Sequence, residues 1–508
     1  MNTRKRLAAL QRALTRECGA AAAPAAVPDN PACVVGAGQT CEHALVDRAL
    51  NQSLYAYERR IRGRFAAITD TLKVISALQH ERDFVERAQH LARECLGFEL
   101  PQALLEDAWV TGLDMRALHA HCVFATVKAG VDAAEADQAP WREKIAITPE
   151  FLRACGYHTV DVSPCADGRL QGLLPYILRI APNPDVVVKA YAGALFDVEG
   201  DVADWTQQEL LRLTGGLPGA EQANYLKIAV YHFSSSDANH QGCAAHGSND
   251  RAAVEAALNR LNELRAAIDN TFGRGAAPDV LLIGVDTDLD AIRVHLPDGR
   301  GEVNPYRYVD SAVLYRETLG MDATAARRHI AAAVARAERA DGWAQGEGEM
   351  AAGMRALTVK LLEANLSQIE YVIRHHAGRY AVIGHDEEFI CAGEAVSEVQ
   401  LRNHYYFAHL DTVEEGAADL DVGVKIFTGL NVRHGLAIPI LVHFTYSSRV
   451  PGGRERAVAR CRRVKAAIEA RYADLHARGL LYCRMAVSDR QGRERCAFIE
   501  DDAIDTGH

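Results

Sequence analysis

The feature that most constrains the fold is a strand–helix–strand pattern that occurs twice in the same order. In each copy a Ser-rich loop follows the first apolar strand, and a loop containing Asp follows the last one. A long helix between two strands implies that the strands are parallel. We interpret the two copies as a diverged internal duplication, although two unrelated units of this kind would show the same pattern. The strands and helix lie at about 226–231, 250–269 and 280–285 in the first copy, and at about 438–442, 454–475 and 480–489 in the second.

The composition is that of a globular protein without a membrane or nucleic-acid signature. Of the 508 residues, 49% are hydrophobic and 24% are charged, which excludes wholesale disorder and a coiled-coil rod. A net charge of −11 without a dense basic run disfavours a dedicated nucleic-acid binder. No apolar stretch reaches the about 20 residues that span a bilayer, and Arg12 and Arg16 interrupt the place of a signal-peptide core. We therefore expect a cytoplasmic chain.

Shifts in composition predict four regions. Residues 1–30 form a basic arm with leucines at helical spacing, followed by an Ala/Pro-rich linker. Residues 31–140 are predicted to form a helical domain, because their apolar residues recur at a helical period and proline is nearly absent. An α/β domain at 141–388 and its degenerate copy at 389–508 complete the chain. The arm is either a solvated tail or a segment that folds onto a partner.

The sharpest chemical feature is a short motif directly after an apolar strand. Cys165, Asp167 and Arg169 place a thiol, a carboxylate and a guanidinium close together where the strand ends. Open parallel sheets carry their sites at this end of the strands. The segment after the next strand contains Cys243, which precedes the predicted long helix, and several histidines. Because a catalytic zinc site uses three Cys, His or carboxylate ligands, the two strand ends together predict a zinc site.

Three histidines in this segment compete for the remaining ligand position. His232 lies at the strand end, His240 lies three residues before Cys243, and His246 lies three residues after it. A single histidine in a Ser-rich loop is usually solvated, and a single cysteine is usually an inert apolar residue. The prediction of a metal site therefore depends on the joint arrangement rather than on any one residue.

The combined motifs resemble the signature of beta-class carbonic anhydrases, in which Cys-x-Asp-x-Arg is followed by a His/Cys pair. The fuller strings at 160–170, 231–234 and 242–251 are similar to one branch, the carboxysomal shell carbonic anhydrases of alpha-carboxysomes. This resemblance covers nearly the whole chain after the arm. It implies an α/β fold with a helical N-terminal domain, a catalytic domain with a parallel sheet, and a degenerate second copy of that domain.

The resemblance implies one Zn2+ ion per chain, ligated by Cys165, His232 and Cys243. Ordinary beta-class enzymes carry His-x-x-Cys, and His240 satisfies that spacing here, so His240 stays the alternative ligand. The second copy keeps a histidine at its strand end, His443, but its loop to the helix contains no cysteine. No second zinc site is therefore expected.

The resemblance also implies roles for two residues of the motif. Asp167, held ionised by Arg169, accepts a hydrogen bond from the zinc-bound nucleophile and orients it. A proton must then leave the site, and the sequence allows either His246 or His240 as its relay.

The implied function is interconversion of carbon dioxide and bicarbonate inside the carboxysome, in its lumen or on the inner face of its shell, to supply Rubisco with carbon dioxide. Rubisco, carboxysome shell proteins and further copies of the chain, in a homodimer or higher oligomer, are the expected partners. The alternative is a carboxysome interaction or scaffold protein whose zinc site is purely structural. Zinc content without carbon dioxide hydration would identify that alternative.

Overall fold

A computed structural model describes most of the chain after the arm. The arm at 1–30 and His240 lie outside the described residues. Among the helices that are described, none combines the length and the apolar character needed to cross a membrane. The described residues are 42–106, 108–136, 144–216, 223–237, 241–339, 349–380, 385–396, 401–410 and 417–500.

The region after the arm is helical, as predicted. The first helix begins after Asp47, whose carboxylate accepts a hydrogen bond from the Leu50 amide at 2.9 Å and so caps the helix. Its apolar residues recur along one face and are buried against the other helices of the region. The helices are α1 (Arg48–Leu78), α2 (Phe84–Cys95), α3 (Gln102–Glu106), α4 (Ala108–Thr111) and α5 (Met115–Ala136).

The first α/β unit contains a six-stranded sheet in the order β2-β1-β3-β4-β5-β6. Strands β1 to β4 are parallel, as predicted, and β5 and β6 extend the sheet antiparallel. The strands are β1 (Tyr157–Pro164), β2 (Val186–Val188), β3 (Asn224–Phe233), β4 (Asp279–Asp286), β5 (Ala291–Pro297) and β6 (Val303–Asp310). The helices are α6 (Pro149–Ala154), α7 (Val198–Leu213), α8 (Asp250–Phe272), α9 (Ser311–Thr318), α10 (Ala323–Glu338) and α11 (Ala352–His375).

Among its described residues, the second unit repeats this topology with one strand fewer. Its sheet has the order β8-β7-β9-β10-β11, in which β7 to β10 are parallel and β11 is antiparallel. The predicted duplication is therefore present in the strand order and in the strand directions. The elements are β7 (Phe389–Gly393), β8 (Tyr405–His409), α12 (Leu420–Leu430), β9 (Ile438–Tyr446), α13 (Gly453–Arg471), α14 (Ala473–Ala477), β10 (Leu481–Asp489) and β11 (Ala497–Ile499).

Helices α8 and α13 show the correspondence at the level of single residues. The two helices share four buried residues at the same spacing, which in α8 are Ala257, Leu261, Leu264 and Ile268 and in α13 are Ala457, Cys461, Val464 and Ile468. Because i, i+4 and i+7 positions share one helix face, the same pattern places both helices in the same way on their parallel strands.

Two apolar cores meet at the end of β1. One core belongs to the first sheet and includes Cys165. The other joins the helical region to the second sheet and includes Ala166. The turn that follows β1 therefore lies where the two α/β units contact each other, and it carries the predicted motif.

Candidate metal centre

Parallel strand register brings the candidate ligands to one place. Pro164 at the end of β1 pairs with Val230 of β3, and the amide of Cys165 donates to the Val230 carbonyl at 3.1 Å. Cys165 thus leaves its strand close to His232, and Cys243 approaches from the loop between β3 and α8. One ligand atom from each of these three buried residues lies within 4.8 Å of the other two.

The two sulfurs lie side by side. The Sγ atoms of Cys165 and Cys243 are 3.8 Å apart, a distance at which one thiol donates a hydrogen bond to the other sulfur. This bond lowers the pKa of Cys243, which the amides of Ala245 and His246 lower further, whereas the same bond and burial raise the pKa of Cys165. A divalent cation between the sulfurs would favour both thiolates, because its positive charge would offset the cost of burying their negative charges.

The imidazole of His232 completes a donor set that suits zinc. The side chain is fully buried, its Nε2 lies 3.2 Å from Nη2 of Arg169, and its Nδ1 has no hydrogen-bond partner among the described residues. Buried polar atoms nearly always have a partner, so an unpartnered imidazole nitrogen beside two thiols requires a reason. Two sulfurs and one imidazole nitrogen are the ligand set of known catalytic zinc sites.

Asp167 is an ionised carboxylate held in a fixed orientation. Arg169 donates through Nε to Oδ1 at 2.9 Å and through Nη2 to Oδ2 at 2.8 Å, which is a bidentate pair. Burial alone would raise the pKa of Asp167, but Arg169 and His232 outweigh it and hold that pKa well below its usual range. Oδ2 also lies 3.5 Å from Nε2 of His232, so the carboxylate borders the candidate metal site.

The second unit holds the turn that carries Asp167. The amide of Asn403 donates to the Gly168 carbonyl at 2.7 Å, and the amide of Phe407 donates to the Ala166 carbonyl at 3.4 Å. A Cβ atom at position 168 would overlap with the carboxylate of Glu387, so this contact requires glycine. The sequence analysis missed these residues, and Gly168 inside the motif was the one local signal of a close approach.

The remaining histidine of the loop is anchored beside the site. His246 is half-buried, and its Nε2 lies 3.0 Å from the Gly193 carbonyl. His240, the alternative ligand, lies outside the described residues. Within the part of the chain that is described, Cys165, His232 and Cys243 form the single group with metal-site geometry.

Fold and site together define a class. A parallel sheet whose strand ends and following loop bring two cysteines and a histidine together, next to a carboxylate paired with arginine, is the arrangement that the beta-class carbonic anhydrase signature predicts. Comparison with known proteins identifies the family within that class. Family models of the carboxysome shell carbonic anhydrase match its N-terminal domain at 43–135, its catalytic domain at 148–385 and its C-terminal domain at 386–503.

Similar proteins in several bacteria carry the same name. The chain is 47% identical over 462 residues to the carboxysome shell carbonic anhydrase of Halothiobacillus neapolitanus, covering 90% of each chain. It is 48% identical over 471 residues to that of Prochlorococcus marinus strain MIT 9313, covering 92% of this chain and 90% of the relative. The chain belongs to the carboxysome shell carbonic anhydrase family, and its enzyme class is that of a carbonic anhydrase.

Proposed function

We propose that this chain interconverts carbon dioxide and bicarbonate at one zinc ion held by Cys165, His232 and Cys243. The observation that carries the proposal is the convergence of these three buried donors within 4.8 Å. Asp167 lies beside these donors. Burial alone would raise the pKa of this carboxyl group, but Arg169 holds that pKa well below its usual range. The ligand set is soft enough to prefer zinc over hard cations such as Mg2+ and Ca2+.

The residues around the site have different chemical roles. Zinc, when bound, lowers the pKa of a water ligand to about 7 and so supplies a nucleophile at neutral pH. Asp167 is an acceptor only, because it is ionised, so it would accept a hydrogen bond from the nucleophile and orient that nucleophile toward carbon dioxide. Arg169 occupies both carboxylate oxygens and so keeps Asp167 in this role.

A purely structural zinc site is the alternative, with Asp167 as the fourth ligand. The bidentate bond to Arg169 disfavours it, because a carboxylate that ligates zinc would have to give up part of that pairing. The test is to measure zinc content by mass spectrometry and carbon dioxide hydration by stopped flow on the same preparation. We expect one zinc per chain together with hydration; a zinc-replete protein without hydration would support the structural alternative.

The names of the relatives refer to the carboxysome shell, and we propose the same location for this chain. There it would supply carbon dioxide to Rubisco, as a homodimer or higher oligomer, in the lumen or on the inner face of the shell. The basic arm at 1–30 is the proposed contact with Rubisco or a shell protein. We expect deletion of the arm to abolish a salt-sensitive pulldown while leaving hydration intact, since exposed charge contacts weaken as the Debye length falls below about 8 Å. Equal capture by both proteins would place the contact elsewhere.

A further inference from the structure

A buried arginine joins the two α/β units behind the turn that carries Asp167. Arg402 precedes β8, and it donates through Nη1 to Oδ1 of Asp290 at 3.0 Å and through Nη2 to the Thr287 carbonyl at 2.9 Å. Its guanidinium carbon also lies 3.7 Å from the ring centroid of Tyr380. One side chain of the second unit thus binds the loop that follows β4 in the first unit.

The residue after Arg402 holds the turn itself. The amide of Asn403 donates to the Gly168 carbonyl at 2.7 Å, and the backbone of Asn403 is left-handed, with a φ of 50°. A residue other than glycine keeps such a conformation where its surroundings fix it. Because Gly168 stands between Asp167 and Arg169, a shift of the Asn403 amide would shift that pair as well.

The loop that Arg402 binds also borders the Asp167–Arg169 pair. Nη1 of Arg169 lies 3.5 Å from Oγ1 of Thr287, and the Thr287 hydroxyl donates to the Phe233 carbonyl at 3.1 Å. The amide of Thr287 donates to the same carbonyl at 2.9 Å, which fixes the loop to the end of β3. The segment around Arg402 therefore reaches the pair from two sides.

The helical region contributes a third contact to this segment. Arg62 of α1 donates through Nη2 to the Arg402 carbonyl, and its Nε pairs with Oε1 of Glu58 at 2.8 Å. Arg62, Arg402 and Asn403 are among the residues that line a cavity of about 280 Å³. Because a cavity supplies no packing contacts, the position of the segment on this side depends on its hydrogen bonds.

We propose that Arg402 is a positioning residue for carbon dioxide hydration, acting through Asn403 and Thr287. A guanidinium fork that binds a carboxylate and a carbonyl at once fixes its own backbone relative to both groups. The turn is thereby held against the loop after β4, and Asp167 keeps a constant orientation. Among the described residues Arg402 hydrogen-bonds to neither Asp167 nor Arg169. Its effect is therefore indirect, and it rests on the proposed function, in which Asp167 orients the nucleophile.

The test compares two conservative substitutions in the full, zinc-loaded chain. Arg402→Lys keeps a positive charge beside Asp290 but cannot bind Asp290 and Thr287 as a planar fork. The matched control is Arg293→Lys in β5, because Arg293 makes contacts of the same kinds. It pairs with a carboxylate at 3.1 Å and lies 3.7 Å from the ring centroid of Phe233.

Hydrogen exchange, followed by mass spectrometry, measures how firmly the turn is held. We expect exchange at 166–171 and at 401–404 to become at least about tenfold faster in Arg402→Lys and to stay unchanged in Arg293→Lys. This measurement does not involve carbon dioxide, so its result is independent of the proposed function. Unchanged exchange in Arg402→Lys would overturn the proposal.

Hydration kinetics and zinc content then show whether the turn matters for the chemistry. We expect Arg402→Lys to keep zinc and to lower kcat at least about tenfold with little change in KM, because Asp167 acts on the nucleophile rather than on substrate binding. In an Asp167→Asn background the same substitution should lower kcat by less than about twofold, since the residue through which Arg402 acts is already lost. Arg293→Lys should leave kcat unchanged.

Several results would overturn the proposal. Equal losses of kcat in the two backgrounds would show that Arg402 does not act through Asp167, and loss of zinc would assign it to the metal centre or the fold. If Arg402→Lys does not fold, Thr287→Val replaces it, because it removes the hydroxyl beside Arg169 and keeps the carbonyl; an unchanged kcat in that variant would be decisive against the proposal. Hydration that Arg402→Lys leaves intact would contradict the positioning role alone. A zinc-replete unmodified chain without hydration would instead overturn the proposed function, and this role with it.

Discussion

The two α/β units have the same topology, but they carry different residues at their strand ends. In the first unit, the register of β1 against β3 places Cys165 and Asp167 beside His232. In the second, the register of β7 against β9 places Ala392 and Glu394 at the corresponding positions beside His443. The second unit thus keeps the carboxylate and the imidazole, and it has neither sulfur, because the loop between β9 and α13 also contains no cysteine. A parallel sheet fixes where the side chains meet, whereas the ligands themselves decide whether they form a metal site.

The two strand-end histidines show the same contrast. His232 has an unpartnered Nδ1 within the described part of the chain. His443 has both nitrogens engaged, with Nδ1 at 2.9 Å from the Glu394 carbonyl and Nε2 at 2.8 Å from the Ser488 hydroxyl. A buried imidazole with two satisfied nitrogens connects β9 to its neighbours and has no nitrogen left for a metal. The same residue type at the same position therefore serves as a candidate ligand in one unit and as a structural link in the other.

The largest expected effect comes from removing the second unit. A chain ending near residue 385 would lose the amide of Asn403, which holds Gly168, and would expose the apolar core that joins α1 and α5 to the second sheet. Because exposed apolar surface on this scale promotes aggregation, we expect an insoluble or inactive product. The measurement is soluble yield and carbon dioxide hydration of the truncated chain. A soluble, fully active product would show that the first unit is independent of the second.

Replacing a candidate ligand should abolish both zinc binding and carbon dioxide hydration. We expect Cys165→Ala and Cys243→Ala to lose both zinc and hydration, because two remaining protein ligands hold zinc weakly. The matched control is Cys391→Ala in the second unit, which removes a buried thiol outside the metal cluster and should leave zinc content unchanged. Zinc content and stopped-flow rates of the three variants provide the measurement. A Cys243→Ala protein with full zinc would contradict the ligand assignment.

The histidine ligand can be tested in the same way. We expect His232→Ala to lose zinc and His240→Ala to retain it, since His232 is fixed in a strand beside both thiols. The reverse result would assign the ligand to the His-x-x-Cys spacing instead.

A smaller effect is expected at the carboxylates. Asp167→Asn should keep zinc but slow hydration by about 10²-fold, because an amide can donate where an ionised carboxylate must accept. Glu394→Gln, at the equivalent position of the second unit, should leave the rate near that of the unmodified chain. Metal content and the hydration rate at saturating carbon dioxide distinguish the two variants. Equal rates for Asp167→Asn and the unmodified chain would reduce the Asp167–Arg169 pair to a structural role.

Local patterns in the sequence predicted much of this arrangement. The parallel strands and long helices followed from apolar periodicity, which reports burial within a few residues. The Cys165–Arg169 motif and the second strand end were recognisable because functional groups gather at the carboxyl ends of parallel strands. The Ser-rich and Asp-containing loops of both copies also have a physical basis. The amide of Ser236 donates to Asp288 at 2.6 Å, and that of Ser448 donates to Asp489 at 3.0 Å.

Other features depend on tertiary contacts that no local pattern contains. Glu387 and Asn403 contact the Gly168 turn from more than 200 positions farther along the chain. The preference for His232 over His240 came from family resemblance, whereas the proximity of His232 to Cys165 arises from the register between β1 and β3. Strands β5 and β6 lay outside the predicted strand–helix–strand pattern because they extend the sheet as an antiparallel meander.

The smallest effect should come from His443, and it separates structure from catalysis most directly. His443→Ala removes two buried hydrogen bonds that tie β9 to the Glu394 carbonyl and to Ser488. We expect it to lower the free energy of unfolding by about 2 kcal/mol while leaving zinc content and hydration unchanged. Denaturant unfolding and stopped-flow rates, measured beside those of His232→Ala, provide the test. If His443→Ala instead lost zinc or slowed hydration as strongly as His232→Ala does, the second unit would take part in the chemistry, and the contrast between the two strand ends would fail.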